Sequence, residues 1–424
     1  MDEAICGGTA RGAAIPISIR HGRTHPCNAA HPAMLLRHME SKAVYAFLVA
    51  FAAAALLTPL VARLARRVGA VDALKERGLA SEATPLLGGL AIFAGALIAV
   101  LLFMPDSART RGILAAAAVI TLVGAWDDAR DLPPVAKLAG QIVAALILVN
   151  ADVVVRNITF PFLGALNFGD LGGPLTVLGL VAIMNVVNFS DGVDGLAAGV
   201  CAISSIAFAV IAFDLGRDVA GVLAAITAGA ALGFLVHNFH PASVFMGDCG
   251  SNLLGLLLGA VIVEGSLKTN ALVALVGPLV ILAVPFLDTG FVVAKRIKYR
   301  RPVYRGDSNH FHHRFHRIGF SQRRTVLYLY AWTITMAGLA VALRFIPYSD
   351  NHGHLNAGWT AAMAACFVVA LAASAYLVYV LEILKLRRLR AWQLRRTDPD
   401  TTDHEIDTEV ERQLETGEFT ALGS

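Results

Sequence analysis

The chain alternates between long apolar runs and short polar segments. Runs of about 18 or more apolar residues recur along most of its length, each long enough to cross a hydrocarbon core of roughly 30 Å. The pattern predicts about eleven membrane spans. Their approximate limits are 43–62, 86–104, 112–126, 134–151, 173–189, 195–213, 219–237, 251–267, 270–294, 325–346 and 359–383. The third is short and can extend through Trp126, and the fifth and sixth are parted only by an Asp-Gly segment. The expected fold is therefore all-α, a polytopic integral membrane protein. Between spans four and five, "RNITFPFLGALNFGDLGG" alternates enough to form a small extracytoplasmic hairpin.

Composition removes the alternative that length suggests. A chain of 424 residues would ordinarily fold as two or three soluble domains, but 56% of it is apolar and only 16% charged. The five cysteines show no paired spacing, so neither a disulfide framework nor a zinc site is indicated. Three parts follow. Residues 1–41 are a polar leader without a signal-peptide core, and Met34 and Met39 stand just before the first span. A short disordered leader and a later start at one of these methionines both remain open. Residues 42–385 form the polytopic domain. Residues 386–424 are a basic-then-acidic cytoplasmic tail, expected to be disordered with a short helix around 410–414.

The net charge of +4 says little, but its placement orients the spans. Arg63, Arg66, Arg67, Lys75 and Arg77 follow span one; ten Lys and Arg from Lys295 to Arg324 follow span nine; Lys385 to Arg396 follow span eleven. The positive-inside rule then sends odd-numbered spans out to the cytoplasm, with the N-terminus outside and the C-terminus inside. Arg11, Arg20, Arg23 and Arg37 in the leader argue the other way unless the start is later.

Four polar patches survive in this apolar chain. "GAWDDARDLPP" carries Asp127, Asp128 and Asp131; "NFSDGVDGLAAG" carries Asn188, Asp191 and Asp194; "FMGDCGSN" carries Asp248; "HFHHRFHRIG" carries His312 and His313. They follow spans three, five, seven and nine, so parity puts all four at one face. An Asp at the bilayer midplane would cost roughly 2.5–3.5 kcal/mol, and one at a helix end far less. Singly, each patch has an ordinary reading as a turn, a helix cap or a solvated basic loop. Together they form a composite site. Its clustered carboxylates suit Mg²⁺ held with substrate phosphates, and its His and Arg suit a diphosphate. Metal, phosphate and membrane together point to phosphoryl transfer to or from a lipid phosphate.

These patches resemble a known family, the polyprenyl-phosphate N-acetylhexosamine-1-phosphate transferases, to which the phospho-MurNAc-pentapeptide transferases of peptidoglycan synthesis are related. The resemblance rests on "VDALKERGLASEATPLLGG", "GAWDDARDLPPVAKLAGQ", "NVVNFSDGVDGLAAG", "VFMGDCGSNLLG", "PFLDTGFVVAKRI" and "HFHHRFHRIGFSQRRTVL", in order from Val71 to Leu327. It implies a reaction in which a UDP-N-acetylhexosamine, most simply UDP-GlcNAc, and undecaprenyl phosphate give a lipid-diphospho-sugar and UMP. That step would start O-antigen, teichoic-acid or related envelope glycans at the cytoplasmic face of the bacterial inner membrane. It implies Mg²⁺, with Mn²⁺ as an alternative, and a homodimer; no nucleic-acid partner is expected. Residues 42–385 would then be the catalytic domain. By the same resemblance Asp127, Asp128 and Asp191 look catalytic, and Asn188 and Asp248 look like the metal ligands. Asp131, Asp194, Phe245, Asp288, His312 and His313 look like substrate-binding positions, Phe245 as a stacking partner for uracil and Asp288 in an open role.

The match has departures. Gly78 and Ala80 stand where related enzymes carry a Lys and a His that hold phosphate, and Cys249 stands where Thr is usual. "HHRFH" replaces three consecutive histidines of the pentapeptide transferases, which favours the hexosamine-1-phosphate group. Two other readings exist. "DDARD" fits the DDxxD pattern of intramembrane prenyltransferases, which leaves "FMGD" and the His loop without a role. A transporter would place its charges near the midplane between repeated halves, and no internal repeat is present.

Overall fold

The computed structural model describes residues 32–72, 84–160, 164–266, 322–346, 356–382, 394–395, 398 and 401–416. The chain divides into two units, Met1–His38 and Met39–Ser424. Of the first, only the opening turns of a helix are described. The second holds the architecture that follows.

Helices dominate. They are α1 (Pro32–Val68), α2 (Gly88–Phe103), α3 (Ala108–Arg130), α4 (Pro134–Asn150), α5 (Gly172–Ser190), α6 (Leu196–Asp214), α7 (Asp218–Asn238), α8 (Gly247–Ser266), α9 (Gln322–Phe345), α10 (Ala357–Glu382) and α11 (Asp403–Thr416). Helices α1 to α8 overlie the first eight expected spans, and α9 and α10 overlie the last two. The ninth, 270–294, lies outside the described residues. Among the described residues, seven segments are long and apolar enough to cross a membrane: Ser41–Val68, Ala108–Arg130, Gly169–Ser190, Leu196–Asp214, Asp218–Asn238, Gly247–Gly265 and Gln322–Ala342. Gly88–Phe103, Pro134–Asn150 and Ala357–Ala370 are shorter apolar helices. The chain is thus a polytopic helical membrane protein.

Among the described residues, two small hairpins interrupt the helices. β1 (Val71–Asp72) pairs antiparallel with β2 (Thr84–Pro85). β3 (Asn157–Phe160) pairs antiparallel with β4 (Gly164–Asn167), which is the hairpin expected between spans four and five. In the tail, α11 covers more than the short helix expected around 410–414.

Helix α8 sits at the centre of the bundle, packed against α2, α3, α5, α6 and α7. Its residues Leu253, Leu254, Leu256, Leu258 and Ala260 are fully buried. The outer helices show apolar side chains outward instead, among them Leu56, Leu101, Leu122 and Val135. Lipid tails give such side chains no reason to hide, so helix association depends on close packing and on polar contacts between helices. One such contact repairs a proline. Pro59 inside α1 cannot donate to the carbonyl of Ala55, and His237 of α7 donates to that oxygen from Nε2 at 2.9 Å.

Helix α3 runs past the expected limit at Trp126 and ends at Arg130. Asp131 takes a left-handed cap conformation at φ 46°, and Pro133 and Pro134 then forbid continuation. Asp127 and Asp128 therefore belong to the last turn of a helix, not to the loop after it. At the other partner, α8 begins at Gly247 rather than at 251, so Asp248 lies in its first turn.

Candidate active site

The site is built where the end of α3 meets the start of α8. Asp128 accepts from the backbone N–H of Asp248 (2.7 Å) and of Cys249 (3.2 Å), so it caps α8 with a carboxylate at the positive end of the helix dipole. The fit requires glycine. Gly247 has φ +71°, and a Cβ there would lie 2.3 Å from the Asp128 carboxylate. Across the same junction a Cβ on Gly124 of α3 would lie 2.4 Å from Cys249, so the two helices meet backbone to backbone.

Asp127 faces the same point. Its Oδ1 accepts from the N–H of Leu132 at 2.7 Å, just beyond the helix end. Its Oδ2 is ion-paired to Lys137 in the first turn of α4, whose ammonium also reaches Asp248 Oδ2 at 3.0 Å. The carboxylates of Asp127, Asp128 and Asp248 each bring an oxygen within 4.8 Å of the others, the acidic group that could hold a metal ion among the described residues. Oxygen-only ligands at this spacing match a hard divalent cation. Each carboxylate oxygen has lone pairs beyond those its present partners use.

Asn188, in the last turn of α5, reaches the same place by its amide nitrogen. Its Nδ2 donates to Asp248 Oδ1 and to Ser251 Oγ, both at 2.9 Å. As placed it steadies Asp248, and turned over the same amide would present its Oδ1 to a cation held by Asp248. Asp191 caps α5, half-buried, and its pKa is raised to about 8. Burial is the main cause, and repulsion from Asp248, Asp128 and Asp194 adds to it.

Asp194 joins the neighbouring loops. Its Oδ2 accepts from His240 Nδ1 (2.7 Å) and from the N–H of Ala242 (3.1 Å), which ties the loop before α6 to the loop before α8. Asn238 strengthens the tie, accepting from Gly195 N–H at 3.0 Å and donating to the Val244 carbonyl at 2.9 Å. From α9, Arg323 donates to the His240 carbonyl at 3.0 Å and Tyr330 donates to the Gly195 carbonyl. Phe245 is held by its backbone: its N–H meets the Pro85 carbonyl (2.9 Å) and its carbonyl meets Gly88 N–H (3.0 Å). The "TPLLGG" and "VFMGD" segments are thereby zipped together.

Of the positions singled out in the sequence, Asp127, Asp128, Asn188, Asp191 and Asp248 converge. Asp194 and Phe245 line the adjoining loops. Asp131 is exposed in its left-handed cap. Asp288, His312, His313, Gly78 and Ala80 lie outside the described residues. Reasoning from motifs gave no role to Lys137, Gln141, Asn185, His240 or Asn252. The available signal was single polar residues inside otherwise apolar spans, which need a partner there.

Residues 110–266 match glycosyl transferase family 4. The chain is 36% identical over 303 residues to the probable undecaprenyl-phosphate N-acetylglucosaminyl 1-phosphate transferase of Bacillus subtilis (strain 168), a match covering 71% of this chain and 85% of that protein. It is 38% identical over 332 residues to the decaprenyl-phosphate N-acetylglucosaminephosphotransferase of Mycobacterium leprae (strain TN), covering 71% and 83%. A phospho-N-acetylmuramoyl-pentapeptide-transferase of Moorella thermoacetica (strain ATCC 39073 / JCM 9320) is 33% identical over 307 residues, covering 66% and 92%.

Proposed function

The chain belongs to glycosyl transferase family 4, and on that premise we propose that it transfers GlcNAc-1-phosphate from UDP-GlcNAc to undecaprenyl phosphate, releasing UMP. It is an enzyme, a glycosyl-1-phosphate transferase. One observation carries the reading: three carboxylates from α3 and α8 come together in a chain similar over most of its membrane region to N-acetylglucosamine-1-phosphate transferases. The pentapeptide transferases are less similar, at 33% identity or lower. The prenyltransferase and transporter readings fall with family membership.

In the reaction, a phosphate oxygen of undecaprenyl phosphate attacks the phosphorus that bears the sugar. A new P–O bond forms from the lipid phosphate to that phosphorus as its bond to the bridging oxygen of the UDP diphosphate breaks, and UMP leaves with that oxygen. Asp127, Asp128 and Asp248 would hold Mg²⁺, which when bound offsets the charge that builds on the diphosphate oxygens. Asn188 and Lys137 orient Asp248, and Lys137 also orients Asp127. Asp191 supplies further negative charge beside the cluster when ionised. Asp194, through His240, shapes the loops that present Phe245 to the nucleotide base. Asp131, Asp288, His312 and His313 complete the substrate contacts in this reading.

The membrane arrangement proposed with it has about eleven spans. The carboxylate end faces the cytoplasm of a bacterial inner membrane, with the N-terminus outside and the C-terminus inside. The Lys- and Arg-rich segments after spans one, nine and eleven support this orientation. A homodimer and an initiating role in envelope glycan synthesis complete the proposal.

The test is transfer from tritiated UDP-GlcNAc to undecaprenyl phosphate by purified protein, with and without Mg²⁺, for wild type and Asp128→Asn. A Mg²⁺-dependent lipid-extractable sugar diphosphate, formed with UMP and lost in the variant, is the expected result. Product from another UDP-aminosugar alone would keep the mechanism and change the sugar. No product from any UDP-sugar with folded protein would end the assignment.

A further inference from the structure

Beneath the carboxylates lies a second polar layer that the transfer reaction as described does not use. Helices α4, α5 and α8 each carry two polar residues one helical turn apart, on the same face. The outer residues are Lys137, Asn188 and Asp248. The inner ones are Gln141, Asn185 and Asn252. Gln141 and Asn252 are buried, at 4% and 6% exposed, inside helices that otherwise read as apolar spans. Uncharged amides at such depth are costly unless every donor and acceptor finds a partner.

The inner amides form a directed chain. Asn185 Nδ2 donates to the Val181 carbonyl (2.8 Å) and to Gln141 Oε1 (2.7 Å). Gln141 Nε2 donates to Asn252 Oδ1 at 2.7 Å, and Asn252 Nδ2 donates to the Asp248 carbonyl at 2.8 Å. Flipping any one amide would set donor against donor or acceptor against acceptor, so the chain has one sense. It runs through three helices and ends on the backbone of Asp248. Rotating α8 relative to α4 would break Gln141–Asn252, and the same rotation would part Lys137 from Asp248 one turn above.

We propose that Gln141 is a positioning residue whose amide, clamped between Asn185 and Asn252, sets the rotation of α8 against α4 and α5 and so presents Asp248 to a divalent cation. The inference rests on the transferase reading for its purpose, but not for its test. The Gln141 side chain bonds to Asn185 and Asn252, and it acts on Asp248 through Asn252 and the start of α8.

The experiment compares wild type, Gln141→Met, and the triple variant Asn185→Leu, Gln141→Leu, Asn252→Leu. The Met variant keeps length and volume while removing both side-chain bonds. The triple variant removes the whole chain, so no half-satisfied amide remains and thermal stability recovers towards wild type. Folding is followed by size exclusion and thermal unfolding, and Mn²⁺ binding by electron paramagnetic resonance without substrate. Loss of a residue that orients a ligand weakens metal binding by about 10–100-fold, and that loss is expected in both variants. In turnover, kcat should fall by a similar factor while KM for UDP-GlcNAc stays unchanged. Glu264→Gln, at the far end of α8, serves as the control and should bind Mn²⁺ as wild type does.

Wild-type Mn²⁺ affinity in folded Gln141→Met or in the stable triple variant overturns the inference. So does a loss confined to KM for UDP-GlcNAc, and so does a wild type that binds no Mn²⁺. If wild type binds Mn²⁺ but makes no lipid product, the transferase reading fails while the binding comparison still decides the role of Gln141.

Discussion

The two ends of α8 carry acidic residues in opposite company. At its start, Asp248 meets Asp127 and Asp128, with Lys137 as the cation bridging two of them. Near its end, about 24 Å along the helix axis, Glu264 faces Arg109 at 3.6 Å. Arg109 also pairs with Asp152 at 2.6 Å, and Arg156 pairs with Asp152 at 2.5 Å. Arginines at least match acids at this far end, since Arg217 also acts on Glu264, and the pKa of Asp152 is held below its ordinary value by hydrogen bonds from Arg109 and Arg156. At the near end acids exceed bases, and the pKa of Asp191 is pushed up to about 8. A balanced cluster closes on itself and holds helices together. An unbalanced one invites a further cation, and that imbalance separates chemistry from scaffolding in one helix.

The comparison can be broken at either end. Asp248→Asn should have the largest effect, cutting transfer by about a thousandfold or more and abolishing Mn²⁺ binding. Radiolabel transfer and spin-resonance titration read the two losses. Lys137→Met should separate them. Turnover should fall by roughly a hundredfold as Asp127 and Asp248 lose their common anchor, while Mn²⁺ affinity holds, because removing a competing positive charge offsets the lost orientation of the two carboxylates. Weaker binding in this variant would mean that Lys137 builds the cation site rather than tuning it.

A pH titration gives a smaller effect. Below about pH 8 Asp191 holds a proton, and above it the site gains a negative charge. Half-saturating Mg²⁺ should therefore fall several-fold as pH rises through 8, and Asp191→Asn should flatten the curve. Glu264→Gln should leave turnover unchanged and lower stability by about 1–2 kcal/mol, because Arg109 keeps Asp152. Asp152→Asn should cost less than about 1 kcal/mol, since the pair is half exposed and screened by salt. With its pKa depressed, the Asp152 contribution is present at neutral pH and lost only as pH falls below the ordinary carboxylate range. Thermal unfolding at two salt concentrations checks both far-end variants.

What could be read beforehand followed the strength of each physical signal. Long apolar runs mark helices in lipid because no other open structure satisfies the backbone there, and helices overlie ten of the expected spans. Asp127, Asp128 and Asp248 were visible because charge is rare in such a chain. Their presence on helix turns was not, since hydropathy falls at Asp127 while the backbone stays helical until Asp131 and the two prolines. Lys137, Gln141, Asn185 and Asn252 were hidden by averaging: one polar residue per turn barely lowers the mean apolarity of a span. Only the packing of α4, α5 and α8 brings them into one chain. The resemblance places Asp194 among the substrate-binding positions, but its bond to His240 is not legible in the sequence, because it depends on two loops far apart along the chain. Alternation did expose the β3–β4 hairpin, where each strand needs only its neighbour.

The most direct measurement is the position of Mn²⁺ in crystals of the wild-type protein, found by anomalous scattering. A single strong peak bonded to Asp248 together with Asp127 or Asp128, and none beside Glu264 and Asp152, is the result expected of an acid-rich end and a balanced one. A peak at the far end, or none at Asp248, would contradict the account.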